Sequence, residues 1–226
     1  MPGGEQVYRG TTASPSSLVD TTLLEDRRRY PNENTPAYLL EKEAHTRSEV
    51  QRFLALVDSI LQVPAGSPLI SPQVNLQERR DWQGIDPTLL DQLLIGFSAG
   101  EASGQYGSGE QFIGLAPGVG QKVAAHEFGH YLDASMLPRN TTGGPTWLSE
   151  SEISTKLMEA IASSSDSSPE AFAHTFAQYL LRRGGVDAGS YWDDIQFPPI
   201  YNEMDSLLSL LGLLQSETPI GGEQLQ

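Results

Sequence analysis

Two histidines one helical turn apart, with a glutamate beside the first, are the residues of this chain best suited to chemistry. They form the pentapeptide His126-Glu127-Phe128-Gly129-His130. Helical residues four positions apart point the same way, so the two imidazoles can bind one zinc ion. Glu127 is rotated about a third of a turn from them and can reach a water on the metal without being a ligand. The spacing therefore predicts a zinc site in which Glu127 acts as general base.

A catalytic zinc site needs a third protein ligand, with the fourth position left to water. A third histidine six residues after His130 is excluded, because that residue is Met136. We favour Glu170, which opens a second predicted helix; the alternative is a carboxylate that only favours a helix N-terminus. His174, one turn further on, could hydrogen-bond within the site or replace Glu170. Asp133 is better placed to accept a hydrogen bond from a metal-bound imidazole than to bind the metal.

The composition narrows the classes of partner. With 14 Lys+Arg against 29 Asp+Glu, the formal net charge is −15, which argues against nucleic acid and against an anionic membrane surface. There is no cysteine, which excludes a disulfide scaffold, a cysteine zinc finger and a thiol nucleophile. The expected partner is a peptide or protein substrate.

Two features bear on location. The first six residues lack the basic and apolar regions of a secretory signal, and the longest apolar stretch, Leu207–Leu214, is too short to cross a bilayer. We therefore expect a protein that stays in the cytoplasm, is carried in a virion or is exported by a route other than the general secretory one.

The chain divides into an extension and one domain. Residues 1–36 are rich in Ser, Thr, Pro and Gly and predict a flexible arm, or a docking arm that orders on a partner. Residues 37–226 form the predicted domain, with a helix and a small sheet over 37–117 and a helical part with the zinc site over 118–226. The expected fold class is α+β.

Hydrophobic periodicity and Pro and Gly positions predict the elements. The glycines of the segment 104–110 (GQYGSGE) predict a turn. The predicted strands are Ser67–Ile70, Val74–Glu78, Leu94–Ser98 and Gln111–Ala116. The predicted helices lie over Pro36–Val63 (strongest over 46–62), 86–94, Val119–Met136 and Trp147–Ala162, from Ser168 to Arg183, and from Pro199 onward.

Three segments together resemble a known peptidase family. HEFGHYLD (126–133), SPEAFAHTFAQYL (168–180) and PPIYNEMDSLLSL (198–210) are similar to the gluzincins of the anthrax lethal factor protease domain and the Pro-Pro endopeptidases. The resemblance covers residues 90–214. It implies a zincin-like fold with a small twisted sheet whose edge strand holds substrate. It also implies zinc ligands His126, His130 and Glu170, and Glu127 as base.

Two positions depart from the family pattern. Where the family has a tyrosine that stabilises the oxyanion, this chain has Ser163, and where the family often has a second glutamate, it has His174. Tyr106, Tyr131, His174 and Tyr201 are alternative donors. The sequence predicts a zinc-dependent endopeptidase. The alternative is a weak or idle metallopeptidase-like subunit that binds within a larger assembly such as a phage virion.

Overall fold

A computed structural model of the chain describes residues 13–25, 36–64, 92–98, 102–108, 111–137, 146–161, 167–187 and 197–215. Within these ranges the α-helices are α1 (Ala37–Ile60), α2 (Gln121–Ser135), α3 (Thr155–Ile161), α4 (Ser168–Arg183) and α5 (Phe197–Leu210). The strands are β1 (Val19–Asp20), β2 (Leu93–Phe97), β3 (Gly104–Gly107) and β4 (Phe112–Leu115). The chain is thus a mixed α+β protein with a small sheet and mainly helical content.

The four strands form one sheet in the order β1-β2-β4-β3. β2 runs parallel to both β1 and β4, and β3 pairs antiparallel to β4, with Tyr106 opposite Ile113. β3 is therefore an edge strand of this sheet. Short Gly-containing strands of this kind leave little side-chain bulk between the sheet and the helix behind it.

The core lies between α1, α2 and α4, with Phe128 at its centre. The ring of Phe128 lies 5.5 Å from that of Phe53 on α1 and 6.1 Å from that of Phe176 on α4. All three side chains are buried because each occupies the apolar face of its helix. This packing holds α2, which carries the histidines, between the other two helices.

The crossing of α2 and α4 depends on a residue without a side chain. A Cβ atom on Gly129 would lie 2.9 Å from Cα of Ala173, closer than packed atoms normally approach. Glycine facing alanine lets the two helix backbones come together. As a result, the histidines on α2 meet the first turn of α4.

Several predicted elements are found where they were expected. α1, α2, α4 and α5 correspond to four of the predicted helices, and β2 and β4 correspond to two of the predicted strands, with ends that differ by a few residues. The predicted strands Ser67–Ile70 and Val74–Glu78 lie outside the described residues. Among the described residues, no helix is both long and apolar enough to span a membrane.

Two predictions about local structure near the sheet are wrong. The end of the predicted short helix 86–94 is wrong, because Leu93 and Leu94 begin β2, in agreement with the overlapping predicted strand Leu94–Ser98; residues 86–91 lie outside the described part of the chain. The strand is buried on both faces, so its continuous apolar run shows no alternation and resembles a helical segment. The glycine-rich segment was predicted as a turn, yet Gly104–Gly107 forms β3.

The predicted helix Trp147–Ala162 is instead broken into short pieces. Two 3-10 helices, Leu148–Glu150 and Glu152–Ser154, precede the short α3. The hydroxyl groups of Ser151 and Ser154 both donate to the carbonyl of Leu148, at 2.6 Å each. Serine side chains thus take hydrogen bonds that a continuous helix would form with its own backbone.

Part of the predicted N-terminal arm packs against the domain. Ala13 and Val63 exchange two backbone hydrogen bonds of 3.0 Å, and Ser16 donates to the carboxylate of Asp58 on α1. Val19 pairs with Leu93, and Leu24 is buried. Residues 13–25 are therefore packed on the sheet and on α1, which differs from the expected flexible segment. Residues 1–12 and 26–35 lie outside the described ranges.

Candidate metal centre

Three side chains from two helices meet at one point beside the α2–α4 crossing. Nε2 of His126 lies 3.3 Å from Oε2 of Glu170, and Nε2 of His130 lies 3.3 Å from Oε1 of the same carboxylate. The two Nε2 atoms are 3.1 Å apart. One donor atom from each residue lies within 4.8 Å of the others, so this group could hold a metal ion.

Local helix geometry positions each of the three donors. His126 and His130 lie one turn apart on α2, and their rings are nearly perpendicular, with centroids 4.7 Å apart. Glu170 lies in the first turn of α4, which the Gly129 contact holds against α2. The sequence-predicted ligands are thus brought together, two from one helix and one from the next.

The site is open on the side of α4. The Glu170 side chain is 48% exposed, whereas those of His126 and His130 are 14% and 11% exposed. A solvent molecule or ligand would therefore approach the group past Glu170.

Burial keeps the imidazoles neutral. Burial, followed by the neighbouring His130 and His174, lowers the pKa of His126 to about 3. Burial also lowers the pKa of His130, although the adjacent Glu170 carboxylate acts in the opposite direction. Neutral imidazoles offer nitrogen lone pairs, which is the form in which histidine binds metals. The donor set of two imidazoles and a carboxylate suits a divalent cation.

Glu127 lies next to this group, between α2 and the edge strand, and is only 5% exposed. Burial, followed by the charge of Glu170, raises its pKa to about 7, while a hydrogen bond from the Tyr106 backbone opposes the shift. A Cβ atom on Gly104 would lie 2.6 Å from Oε1 of Glu127. A carboxyl group with a pKa near neutrality can both take and return a proton.

Asp133 has other partners than the imidazoles expected from the sequence. Its Oδ1 accepts a hydrogen bond of 2.6 Å from the Ser149 backbone N–H, and its Oδ2 accepts one of 2.9 Å from the Ser149 hydroxyl. The residue is fully buried, and burial raises its pKa to about 7. The 3-10 helix Leu148–Glu150 packs over the end of α2. Asp133, which lies on α2, therefore anchors that segment through its two hydrogen bonds with Ser149.

His174 borders the metal-binding group without completing it. Its Nε2 lies 4.0 Å from Oε2 of Glu170, and its ring centroid lies 4.4 Å from that of His126. The side chain is 25% exposed, which places it at the open side of the site. The ligand group itself consists of His126, His130 and Glu170.

The tyrosines considered as oxyanion donors lie in different places. Tyr131 is buried in the core, and the Tyr106 ring lies 6.1 Å from it. Tyr201 packs on Tyr179 with ring centroids 4.7 Å apart. Tyr179 is nine residues after Glu170, so this pair is roughly 14 Å further along α4. Ser163 lies outside the described residues.

Sequence reasoning missed how the glycines serve this site. Gly129 permits the helix crossing, and Gly104 leaves room for Glu127. A signal for the first was present, because glycine at the centre of a predicted helix costs stability and therefore indicates a close packing contact. The contact between β3 and Glu127 joins segments far apart in sequence, and no local pattern marks it.

Comparison of the chain with protein-family models, with curated proteins and with solved structures gives no match. The geometry of the site is therefore the basis for the function proposed below.

Proposed function

We propose that the chain is a zinc-dependent endopeptidase with a zincin-like α+β fold. The observation that carries this proposal is the position of Glu127, a buried carboxyl group with a pKa near 7, directly beside a two-histidine, one-carboxylate group. Three protein ligands with room for a fourth is the arrangement of catalytic zinc sites, whereas structural sites are closed by four.

The donor set fits zinc among the divalent cations. His126, His130 and Glu170 would hold it through two nitrogens and a carboxylate oxygen, a combination that zinc accepts readily. A zinc ion held by these residues would supply Lewis-acid chemistry, by polarising a peptide carbonyl and making a water molecule more acidic.

Glu127 then carries the proton. It takes a proton from the attacking water as the water oxygen bonds to the carbonyl carbon, and it returns the proton to the amide nitrogen as the C–N bond breaks. Its burial beside Gly104 and the Tyr106 backbone holds the carboxylate in one place for both transfers.

The edge strand offers a way to hold an extended peptide. β3 is at the end of the strand order and runs directly past Glu127, so a peptide paired with β3 would pass over the metal-binding group. Addition of a peptide strand to a sheet edge supplies main-chain hydrogen bonds that are tolerant of sequence. We propose peptide or protein substrates on this basis.

A second candidate is an idle metallopeptidase-like subunit that binds within a larger assembly, for example a virion. The observation that favours it is Ser163 at the position where the related peptidases carry their oxyanion-stabilising tyrosine. Such a subunit would retain the metal and lack turnover.

The deciding experiment measures zinc content and cleavage of a broad peptide library for three chains. The wild-type protein should hold one zinc and cut peptides, and Glu127→Gln should hold zinc with cleavage reduced about 10²- to 10⁴-fold. Asp133→Asn, the same acid-to-amide change on the same helix, is the matched control and should keep both properties. Undiminished cleavage by Glu127→Gln would refute the proposed role. Full zinc occupancy without any cleavage would favour the idle subunit.

A further inference from the structure

Peptide hydrolysis needs a hydrogen-bond donor for the carbonyl oxygen, which gains negative charge as water adds to the carbonyl carbon. Such a donor commonly contributes 10²–10³ in rate. The described tyrosines are poorly placed for this role. Tyr131 is buried in the core, the ring of Tyr106 faces Tyr131, and Tyr201 packs on Tyr179 towards the far end of α4.

The side chain of His174 stands at the open side of the metal-binding group. His174 lies one helical turn after Glu170 on α4, so both side chains project from the same face of the helix. Its ring centroid is 4.4 Å from that of His126, and its side chain is 25% exposed. An incoming carbonyl group that reaches the metal ligands past Glu170 therefore also meets His174.

The contacts of His174 argue against two simpler roles. It does not belong to the group whose donor atoms lie within 4.8 Å of one another, so the three-residue group forms without it. Its Nε2 lies 4.0 Å from the Glu170 carboxylate, which is too far for a hydrogen bond that would hold that carboxylate in place.

We propose that His174 donates a hydrogen bond to the carbonyl oxygen of the bound peptide as that oxygen becomes negatively charged. This inference rests on the proposed peptidase function and names the residue that takes the place of the missing tyrosine. An imidazole carries an N–H in its neutral and in its protonated form, so the role does not depend on a change of charge. Glu127 acts from α2 beneath β3, and His174 acts from α4, so the two groups reach the reacting carbonyl from different elements.

The experiment compares His174→Ala and His174→Gln with His45→Ala, which removes an exposed histidine on α1. Zinc content, kcat, KM and the affinity for a peptide phosphinate are measured for each chain. The phosphinate has a tetrahedral phosphorus with charged oxygens, so its binding reports on the oxyanion donor without turnover.

For His174→Ala we expect full zinc content, a similar KM and a kcat reduced about 10²- to 10³-fold. Phosphinate binding should weaken about 10- to 100-fold, as expected for one hydrogen bond to a charged group. His174→Gln should recover part of both losses because its amide N–H can donate, and added imidazole should partly rescue His174→Ala. His45→Ala should match the wild type.

Two results would overturn the proposal. Loss of zinc from His174→Ala would make His174 a support for the ligands, and equal phosphinate affinity in His174→Ala and wild type would remove its role as donor. A wild-type chain that binds zinc and phosphinate but cuts no peptide would instead contradict the peptidase function, and the phosphinate comparison would still decide the role of His174.

Discussion

Glu127 and Asp133 are two buried carboxyl groups on the same helix, and their surroundings differ sharply. Burial raises the pKa of each to about 7. Asp133 has both oxygens occupied by hydrogen bonds from Ser149. The charge that acts on Glu127 is a second carboxylate, Glu170, which faces two imidazoles at 3.3 Å.

The comparison separates a carboxyl group with structural partners from one that lies beside a possible metal-binding group. A buried polar group costs free energy unless the chain supplies its partners, and for Asp133 the chain supplies them. Near Glu127 the chain instead gathers acceptors and lone pairs around one point, an arrangement that a divalent cation would stabilise. A raised pKa alone does not distinguish the two carboxyl groups, whereas the identity of their neighbours does.

The largest effect should come from Glu170→Ala, which removes one of the three donors. Loss of a hydrogen-bond partner behind a ligand typically lowers metal affinity 10- to 100-fold, so loss of a ligand should lower zinc affinity by more than about 100-fold. Competition with a chromophoric chelator measures this affinity. Asp133→Asn should bind zinc as tightly as the wild type. A similar loss of zinc in both variants would erase the distinction between the two regions.

Asp133→Ala should act on stability, in contrast to the effect of Glu170→Ala on zinc affinity, and the expected loss of stability is large. It leaves the backbone N–H and the hydroxyl of the buried Ser149 without their acceptor. We expect the free energy of unfolding to fall by about 3 kcal/mol. Urea denaturation of the zinc-free protein measures the change. Asp133→Asn should lose less, since its amide oxygen still accepts from the Ser149 N–H. Wild-type stability in Asp133→Ala would show that the Ser149 contacts contribute little.

The pH dependence of the free energy of unfolding tests the same contact through a smaller effect whose direction can be predicted. Burial raises the pKa of Asp133 from 3.8 to about 7, so between these values the folded chain holds a proton that the unfolded chain has released. The Asp133 contribution to stability is therefore fully present below pH 3.8 and is lost as the pH rises towards 7. Relative to Asp133→Asn, the wild-type free energy of unfolding should fall by about 2 kcal/mol from about pH 4.5 to pH 6.

Urea denaturation of the two zinc-free proteins, carried out in parallel at each pH, measures this difference. The histidines are the same in both proteins, so their protonation cancels in the comparison. Among the described residues, Glu150 is the acid whose charge raises the Asp133 pKa, and it is present in both chains. A difference that stays constant or grows over this range would mean that Ser149 keeps Asp133 ionised in the folded state.

The sequence was most informative where local helix geometry brings the candidate metal ligands together. His126 and His130 are four residues apart, so any helix brings them together, and Glu170 follows from a predicted helix start with an apolar face. The general α+β class and most helices follow from periodicity in the same way. These features depend on near neighbours in the chain.

Features that depend on distant segments were missed. The pairing of Gly104–Gly107 with β4 converts a predicted turn into the strand that covers Glu127. Ser149 takes the place of an imidazole as partner of Asp133 because a segment 16 residues later folds back onto α2. No local rule contains either contact, since each is decided by how remote elements pack.

The last prediction tests the space beside Glu127 directly. A Cβ atom at Gly104 would lie 2.6 Å from Oε1 of Glu127 and 2.6 Å from Cγ1 of Val123, so Gly104→Ala must displace the carboxylate or the strand. Such overpacking should lower the free energy of unfolding by about 1 kcal/mol. A shift of the base by several tenths of an ångström should reduce kcat about tenfold, because a 1 Å misplacement can cost 10²-fold.

Gly120→Ala is the matched control for this change. Gly120 lies at the start of α2, the helix that carries Glu127. A Cβ atom there would lie 3.7 Å from Oε2 of Glu49, which is an ordinary contact. Gly120→Ala should leave kcat and zinc content unchanged, and Gly104→Ala should also keep its zinc, because Gly104 touches the base and not the ligands. If Gly104→Ala turned over peptide at the wild-type rate, catalysis would not need Glu127 in a fixed position. The burial of Glu127 would then be structural, as it is for Asp133.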